Sequence, residues 1–176
     1  EDFESKIPVI GGLIVRDYND IPSNFRYTET LSQILEESNV PAISGLDTRM
    51  LTRIIRDEGS QIAVLTSADK PVSEAIEMIK NYKPTADSVK KVSGTKIWYS
   101  RTANPKYNIV AIDCGIKHSI IRTLKTYGCN VTVVPYNTKA DEILALCPDG
   151  LLVSNGPGNP SDATCVIDTV KALKGK

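Results

Sequence analysis

From residue 107 onward, short and mostly apolar runs alternate with segments whose apolar residues recur at helical spacing. The runs are 108–113, 131–135 and 151–154, and a helical pattern follows each. A strand that is apolar at consecutive positions has to bury both of its faces, so strands of this kind separated by helices form a parallel sheet covered on both sides. The first of these helices is predicted to run to Gly128, the second to be capped by Thr138 with Asp141, and the third to start at Ser161 and carry Val166, Ile167 and Val170. The last strand leads into Ser154-Asn155-Gly156-Pro157-Gly158-Asn159-Pro160. Ligands of open α/β sheets bind beyond the carboxyl ends of the strands, which is where this turn falls. Glycine lets backbone approach a ligand closely, Pro157 stiffens the loop, and the amides of Gly156 and Gly158 are left to donate to an oxyanion. Taken alone, a Gly-Pro-Gly is better explained as a tight strand-to-helix turn. It is not a phosphate loop, since no Gly-Lys-Ser/Thr follows, and it does not match GxGxxG.

The first half of the chain has a different character. A short strand is predicted at 12–15, and Thr30 with Gln33 forms a capping box for a helix whose apolar face is Leu31, Ile34 and Leu35. A second helix begins at Asp47, with Met50, Leu51, Ile54 and Ile55 at helical spacing, Arg49, Arg53 and Arg56 on another face, and Gly59 closing it. A strand is expected at 62–66, and Pro71 opens a helix carrying Val72, Ala75, Ile76 and Ile79. Periodicity then lapses between Lys83 and Lys106, where Pro84, Gly94 and Pro105 interrupt the chain. This divides it into a first domain at 1–83, a linker at 84–106 and a second domain at 107–176.

Lysine plus arginine and aspartate plus glutamate both number 21, giving a formal net charge of +0, with no basic stripe. Nucleic acid and anionic membranes are therefore not expected as partners on electrostatic grounds. The four cysteines, Cys114, Cys129, Cys147 and Cys165, form no CxxC pair and have no zinc-like spacing with His118, so no metal site is expected, and reduced thiols in a cytoplasmic setting are the simplest reading. No run suits a signal peptide or a membrane span. The first residue is Glu1 rather than Met, so a cut or omitted N-terminal segment is expected.

The strand Asp149-Gly150-Leu151-Leu152-Val153 followed by residues 154–160 resembles the glutamine-site loop of class I glutamine amidotransferases. Val110-Ala111-Ile112-Asp113-Cys114-Gly115-Ile116-Lys117, Ile121-Arg122-Thr123-Leu124 and Val133-Val134-Pro135 resemble the start of that domain in the small subunit of carbamoyl phosphate synthetases. Upstream, Gly12-Leu13-Ile14-Val15-Arg16, Pro22-Ser23-Asn24-Phe25-Arg26, Gly45-Leu46-Asp47-Thr48-Arg49 and Leu51-Thr52-Arg53 resemble the N-terminal domain of the same subunit. These upstream motifs separate that family from other class I amidotransferases. The resemblance implies an α/β chain: a small mixed N-terminal domain, incomplete here, followed by the first β-α repeats of a flavodoxin-like, parallel-sheet amidotransferase domain.

It further implies glutamine hydrolysis by a cysteine on a Gly-x-Cys-x-Gly elbow, assisted by a later histidine and glutamate. None of these three is expected before Lys176, so the chain is predicted to be inactive alone, with no catalytic residue of its own. Gly156 and Gly158 match the family's glutamine-binding glycines, the amide of Gly156 being an oxyanion donor. The partners implied are L-glutamine and a large synthetase subunit, or a fused synthetase domain. ATP and magnesium are expected on that partner, with no cofactor or metal in this chain, and the product would serve pyrimidine, arginine or urea synthesis. The alternative is a non-catalytic amidotransferase-like module that docks on or regulates a synthetase. A Gly-x-Cys-x-Gly elbow after Lys176 would favour the enzyme, and serine there or a true stop would favour the module.

Cys114 ends a strand four residues before His118, a spacing that suggests a Cys-His dyad. In the family that cysteine is not the nucleophile, and small buried cysteines usually pack. The row Arg49, Arg53 and Arg56 would suit an acidic surface but is more often a solvated face, and Asp113 with Lys117 reads as a structural pair at a helix start.

Overall fold

The computed structural model describes residues 4–5, 8–83 and 88–176. They form two compact units, one within 8–83 and the other made of 4–5 with 88–176.

In the first unit β1 (Leu13–Ile14) pairs in parallel with β2 (Ala42–Ile43), and α1 (Leu31–Glu37) lies between them in sequence. The predicted capping box closes α1: Gln33 N donates to Thr30 Oγ1 at 3.3 Å, and Thr30 N donates to Gln33 Oε1 at 2.8 Å. Asp47 starts α2 (Thr48–Glu58) by accepting from Met50 N at 2.9 Å, and Gly59, at φ 86°, ends it. Pro71 precedes α3 (Val72–Asn81). Leu35 and Val40 are the buried hydrophobic side chains of this unit. The stripe of α2 finds no such cover, since Met50 is 53% and Ile55 51% exposed. Helical periodicity therefore located α2 without implying its burial. The strand expected at 62–66 does not form, because no partner ladder reaches it among the described residues. Instead the partner of β1 is the two-residue β2, too short to show alternation in the sequence.

The second unit runs through α4 (Ser88–Val92), β3 (Trp98–Ser100), β4 (Tyr107–Asp113), α5 (His118–Thr126), β5 (Cys129–Pro135), α6 (Ala140–Leu144), β6 (Gly150–Val153) and α7 (Thr164–Leu173). Its sheet has the order β3-β5-β4-β6. β4 is parallel to both neighbours, as its unbroken apolar run requires, and Val110, Ala111 and Ile112 are at most 2% exposed. One face of the sheet packs Val110, Ile112 and Cys114 with Val134, Ile143 of α6 and Val166 of α7. The opposite face packs Ala111, Val131 and Val133 with Ile116 and Ile121, the latter on α5.

Three local expectations change. The described part of 84–106 is not a bare connector, since it carries α4 and β3, and β3 pairs antiparallel with β5, Trp98 opposite Val133. A three-residue edge strand leaves no period to read. Thr138 does not cap α6: its hydroxyl donates to Pro135 O at 2.8 Å, and the box opens one residue later, Lys139 N donating to Glu142 Oε2 at 2.9 Å. Ser161 lies in a 3-10 turn, Pro160–Asp162, that Asn159 begins by accepting from Ser161 N, so α7 starts only at Thr164.

Adjacent strands β4 and β6 thus lead to helices on opposite faces, β4 into α5 and β6 into α7. Their connections diverge at the carboxyl edge, which makes this the topological switch point at which α/β sheets place their ligands.

Candidate functional site

At the switch point the loop after β6 rests on the loop after β4. Ser154 N donates to Ile112 O at 3.1 Å, continuing the ladder, and Ser154 Oγ accepts from Cys114 N at 2.9 Å while donating to Asn155 O at 2.9 Å. The buried Asp113 carboxylate organises the other loop. Its Oδ1 accepts from Gly115 N and Ile116 N, each at 2.9 Å, and its Oδ2 accepts from Gly94 N at 2.8 Å. The expected partnership with Lys117 is not formed among the described residues, because backbone amides take the carboxylate.

Each glycine of the turn has a structural reason to be glycine. A Cβ on Gly156 would overlap the carbonyl oxygen of Cys114, so this position admits no side chain while the two loops stay in contact. Gly158 has φ 83°, a left-handed backbone that L side chains disfavour, and its Cβ direction faces Ser88 of α4 at 3.4 Å. The amides are a separate matter. Neither Gly156 N nor Gly158 N donates to any acceptor among the described residues, and both glycines are exposed. Only buried backbone donors must be paired within the fold, so these exposed amides at the switch point stand accessible to solvent and to a ligand.

Cys114 and His118 are not brought together. Cys114 packs on the α6 and α7 face, whereas His118 stands edge-on to Trp98, with ring centroids 6.3 Å apart, and Trp98 packs on the α5 face. Burial, and after it the neighbouring Asp113, pushes the Cys114 thiol above its ordinary range, the reverse of what a thiolate nucleophile needs. Cys129 is buried, Cys165 half-buried and Cys147 exposed. Arg49, Arg53 and Arg56 are all exposed on α2, in the first unit, where Arg56 meets Asp57 at 2.9 Å. Among the described residues no group of His, Cys, Asp and Glu has the arrangement of a metal site. No helix among them is long and apolar enough to cross a membrane.

Comparison with known proteins draws the two units together. Residues 1–65 match the family model of the carbamoyl-phosphate synthase small chain, CPSase domain, and residues 110–176 match that of class-I glutamine amidotransferases, in the same chain and in that order. The chain is similar along its whole length to carbamoyl phosphate synthase small chains. A carbamoyl phosphate synthase small chain of Listeria innocua is 40% identical over 176 residues, and one of Staphylococcus epidermidis is 42% identical; the match takes in 100% of this chain and 48% of each relative. A relative from Halalkalibacterium halodurans, named as a carbamoyl phosphate synthase pyrimidine-specific small chain, is 42% identical over the same span. The chain therefore spans about half the length of the curated relatives it matches. The flavodoxin-like parallel arrangement expected from the resemblance is that of β4, β5 and β6, and the residues matched to the amidotransferase model include all of the switch-point loop.

Asp113 and Ser154 are the buried polar residues of the candidate site that sequence reasoning undervalued; a polar residue at the end of an apolar run, just before a glycine-containing turn, is the signal in both cases.

Proposed function

We propose that residues 154–158 form the oxyanion half of a glutamine site and that the chain is part of the glutaminase component of a carbamoyl phosphate synthase. The observation that carries this reading is the pair of unspent amides on Gly156 and Gly158 at the β4–β6 switch point. In glutamine hydrolysis a cysteine thiolate adds to the side-chain carboxamide carbon. The carbonyl π electrons move to oxygen, and an oxyanion develops where fixed amide donors can meet it. The amide nitrogen of the tetrahedral species takes a proton from the histidine that the resemblance implies, the C–N bond breaks to release ammonia, and a glutamyl thioester is left; water then adds to that thioester, releasing glutamate and the cysteine thiol. A single donor of this type is worth about 10²–10³ in rate.

The remaining chemistry lies outside the groups described here. By family resemblance, ammonia passes to a large synthetase subunit or fused synthetase domain, which uses bicarbonate, ATP and magnesium to make carbamoyl phosphate for pyrimidine or arginine synthesis in the cytoplasm. Among the described residues no cysteine stands with a histidine, so the chain is expected to release no ammonia from glutamine alone.

Saturation-transfer NMR with L-glutamine tests the reading. The native chain is expected to bind glutamine weakly and Gly156→Ala to lose that binding. Absence of binding by the native chain, or equal binding by Gly156→Ala, would contradict it.

A further inference from the structure

Four polar side chains are buried in the described residues, and two of them, Asp113 and Ser154, bond the loops that meet at the glycine turn. We propose that Asp113 is a positioning residue that fixes the amides of both Gly156 and Gly158 toward the ligand. This rests on the reading of 154–158 as a glutamine-site loop.

Gly156 abuts backbone that Asp113 holds directly, and a Cβ on Gly158 would face the Ser88 side chain on the helix that leads to Gly94, which Asp113 also holds. Its Oδ1 fixes Gly115 and Ile116, and so the peptide carrying the Cys114 carbonyl against which Gly156 is seated. Its Oδ2 holds Gly94, just beyond α4, the helix whose Ser88 meets Gly158. One carboxylate thereby holds the peptide on which Gly156 rests and the chain at the end of the helix that faces Gly158. An ionised carboxylate only accepts, which suits three N–H partners at 2.8–2.9 Å. Asparagine has the same shape but must turn its NH₂ toward at least one N–H, so Asp113→Asn breaks the arrangement without changing its volume.

The test uses the ¹⁵N-labelled 176-residue chain, with Thr169→Val as a control. Thr169 is also buried, its hydroxyl donating to Thr138 O at 3.1 Å, and it lies away from the glycine turn in sequence and contacts. Asp113→Asn is expected to move the Gly156 and Gly158 amide resonances, to speed their hydrogen exchange and to weaken the glutamine response about tenfold or more. Thr169→Val is expected to lower stability while leaving both glycine amides and the glutamine response unchanged. If Asp113→Asn does not fold, Gly94→Ala perturbs one bond only, its methyl lying 3.2 Å from Asp113 Oδ2, and is expected to move Gly158 more than Gly156. The proposal is overturned if the folded Asp113 variant, or Gly94→Ala in its place, leaves the glycine amides where they were. It is also overturned if Thr169→Val disturbs them equally. A native chain whose glycine amides ignore glutamine would overturn the glutamine reading instead, and the positioning claim would then be decided by the ligand-free shifts and exchange.

Discussion

A Cβ added to Gly156 would overlap the carbonyl oxygen of Cys114 and stand 3.0 Å from the Cβ of that residue. The loop after β6 and the loop after β4 are therefore locked together through the absence of one side chain. Gly156→Ala is expected to force them apart, destabilising the second unit by about 1–3 kcal/mol, as overpacking of a close contact does. Chemical denaturation followed by the fluorescence of Trp98, which lies on the same sheet, measures this, and an unchanged midpoint would refute it.

Gly158 should respond differently, because its constraint is conformational. At φ 83° an alanine carries left-handed strain of about 1–2 kcal/mol, whereas asparagine tolerates that region better. Denaturation midpoints should fall in the order native, Gly158→Asn, Gly158→Ala. The Ser88 contact at 3.4 Å is ordinary van der Waals packing and adds little to the difference.

The thiols offer a check on the assignment of Cys114. Cys147 is exposed and should react first with a disulfide reagent at neutral pH, while the buried Cys114 should react only as the fold opens. Burial raises the Cys114 thiol above its ordinary value of 9.0, so the neutral form is favoured in the fold. That contribution is complete below the unfolded pKa and is lost as pH rises above about 9 toward the folded value. Stability should decline over that alkaline window in the native chain and less so in Cys114→Ala, whose lower starting stability is a separate effect of the cavity. Rapid labelling of Cys114 in the folded chain would revive it as a nucleophile.

Glu4 ties the start of the described chain to α5. Its carbonyl accepts from His118 N at 3.0 Å, and its carboxylate accepts from Ser119 N at 2.7 Å and from Arg122 at 3.0 Å. The amide bond from Ser119, then the Ser119 hydroxyl, hold this carboxyl below its ordinary value of 4.5. A depressed acid contributes above its unfolded pKa and loses that contribution as pH falls through the folded one. Hydrogen exchange at Ser119 should accordingly accelerate below about pH 4.5 relative to the rest of α5, and Glu4→Gln should produce part of that effect at pH 7. Equal protection of Ser119 in Glu4→Gln at pH 7 would contradict the assignment.

The parallel core was legible in the residues because β4 is apolar at consecutive positions from Ile109 to Ile112, a demand that few architectures meet. α1 and α2 were legible through Thr30 with Gln33 and through Asp47, whose side chains do locally what their types predict. β3 was hidden because Trp98, Tyr99 and Ser100 gain their partner only across the sheet, from β5. The strand expected at 62–66 shows the converse: β propensity without a ladder partner leaves the segment irregular. At the site, the glycines were visible and their first explanation was incomplete. Gly156 is required by the Cys114 carbonyl and Gly158 by its own backbone, while the function proposed for them resides in their amides.

In a ¹⁵N–¹H titration of the native chain with L-glutamine, the Gly156 and Gly158 amide resonances should move together and saturably, with Gly45 and Gly59 in the first unit unchanged. Glycine amides at 156 and 158 that stay fixed, or that move no more than those at 45 and 59, would contradict the oxyanion role and return the turn to a purely structural one.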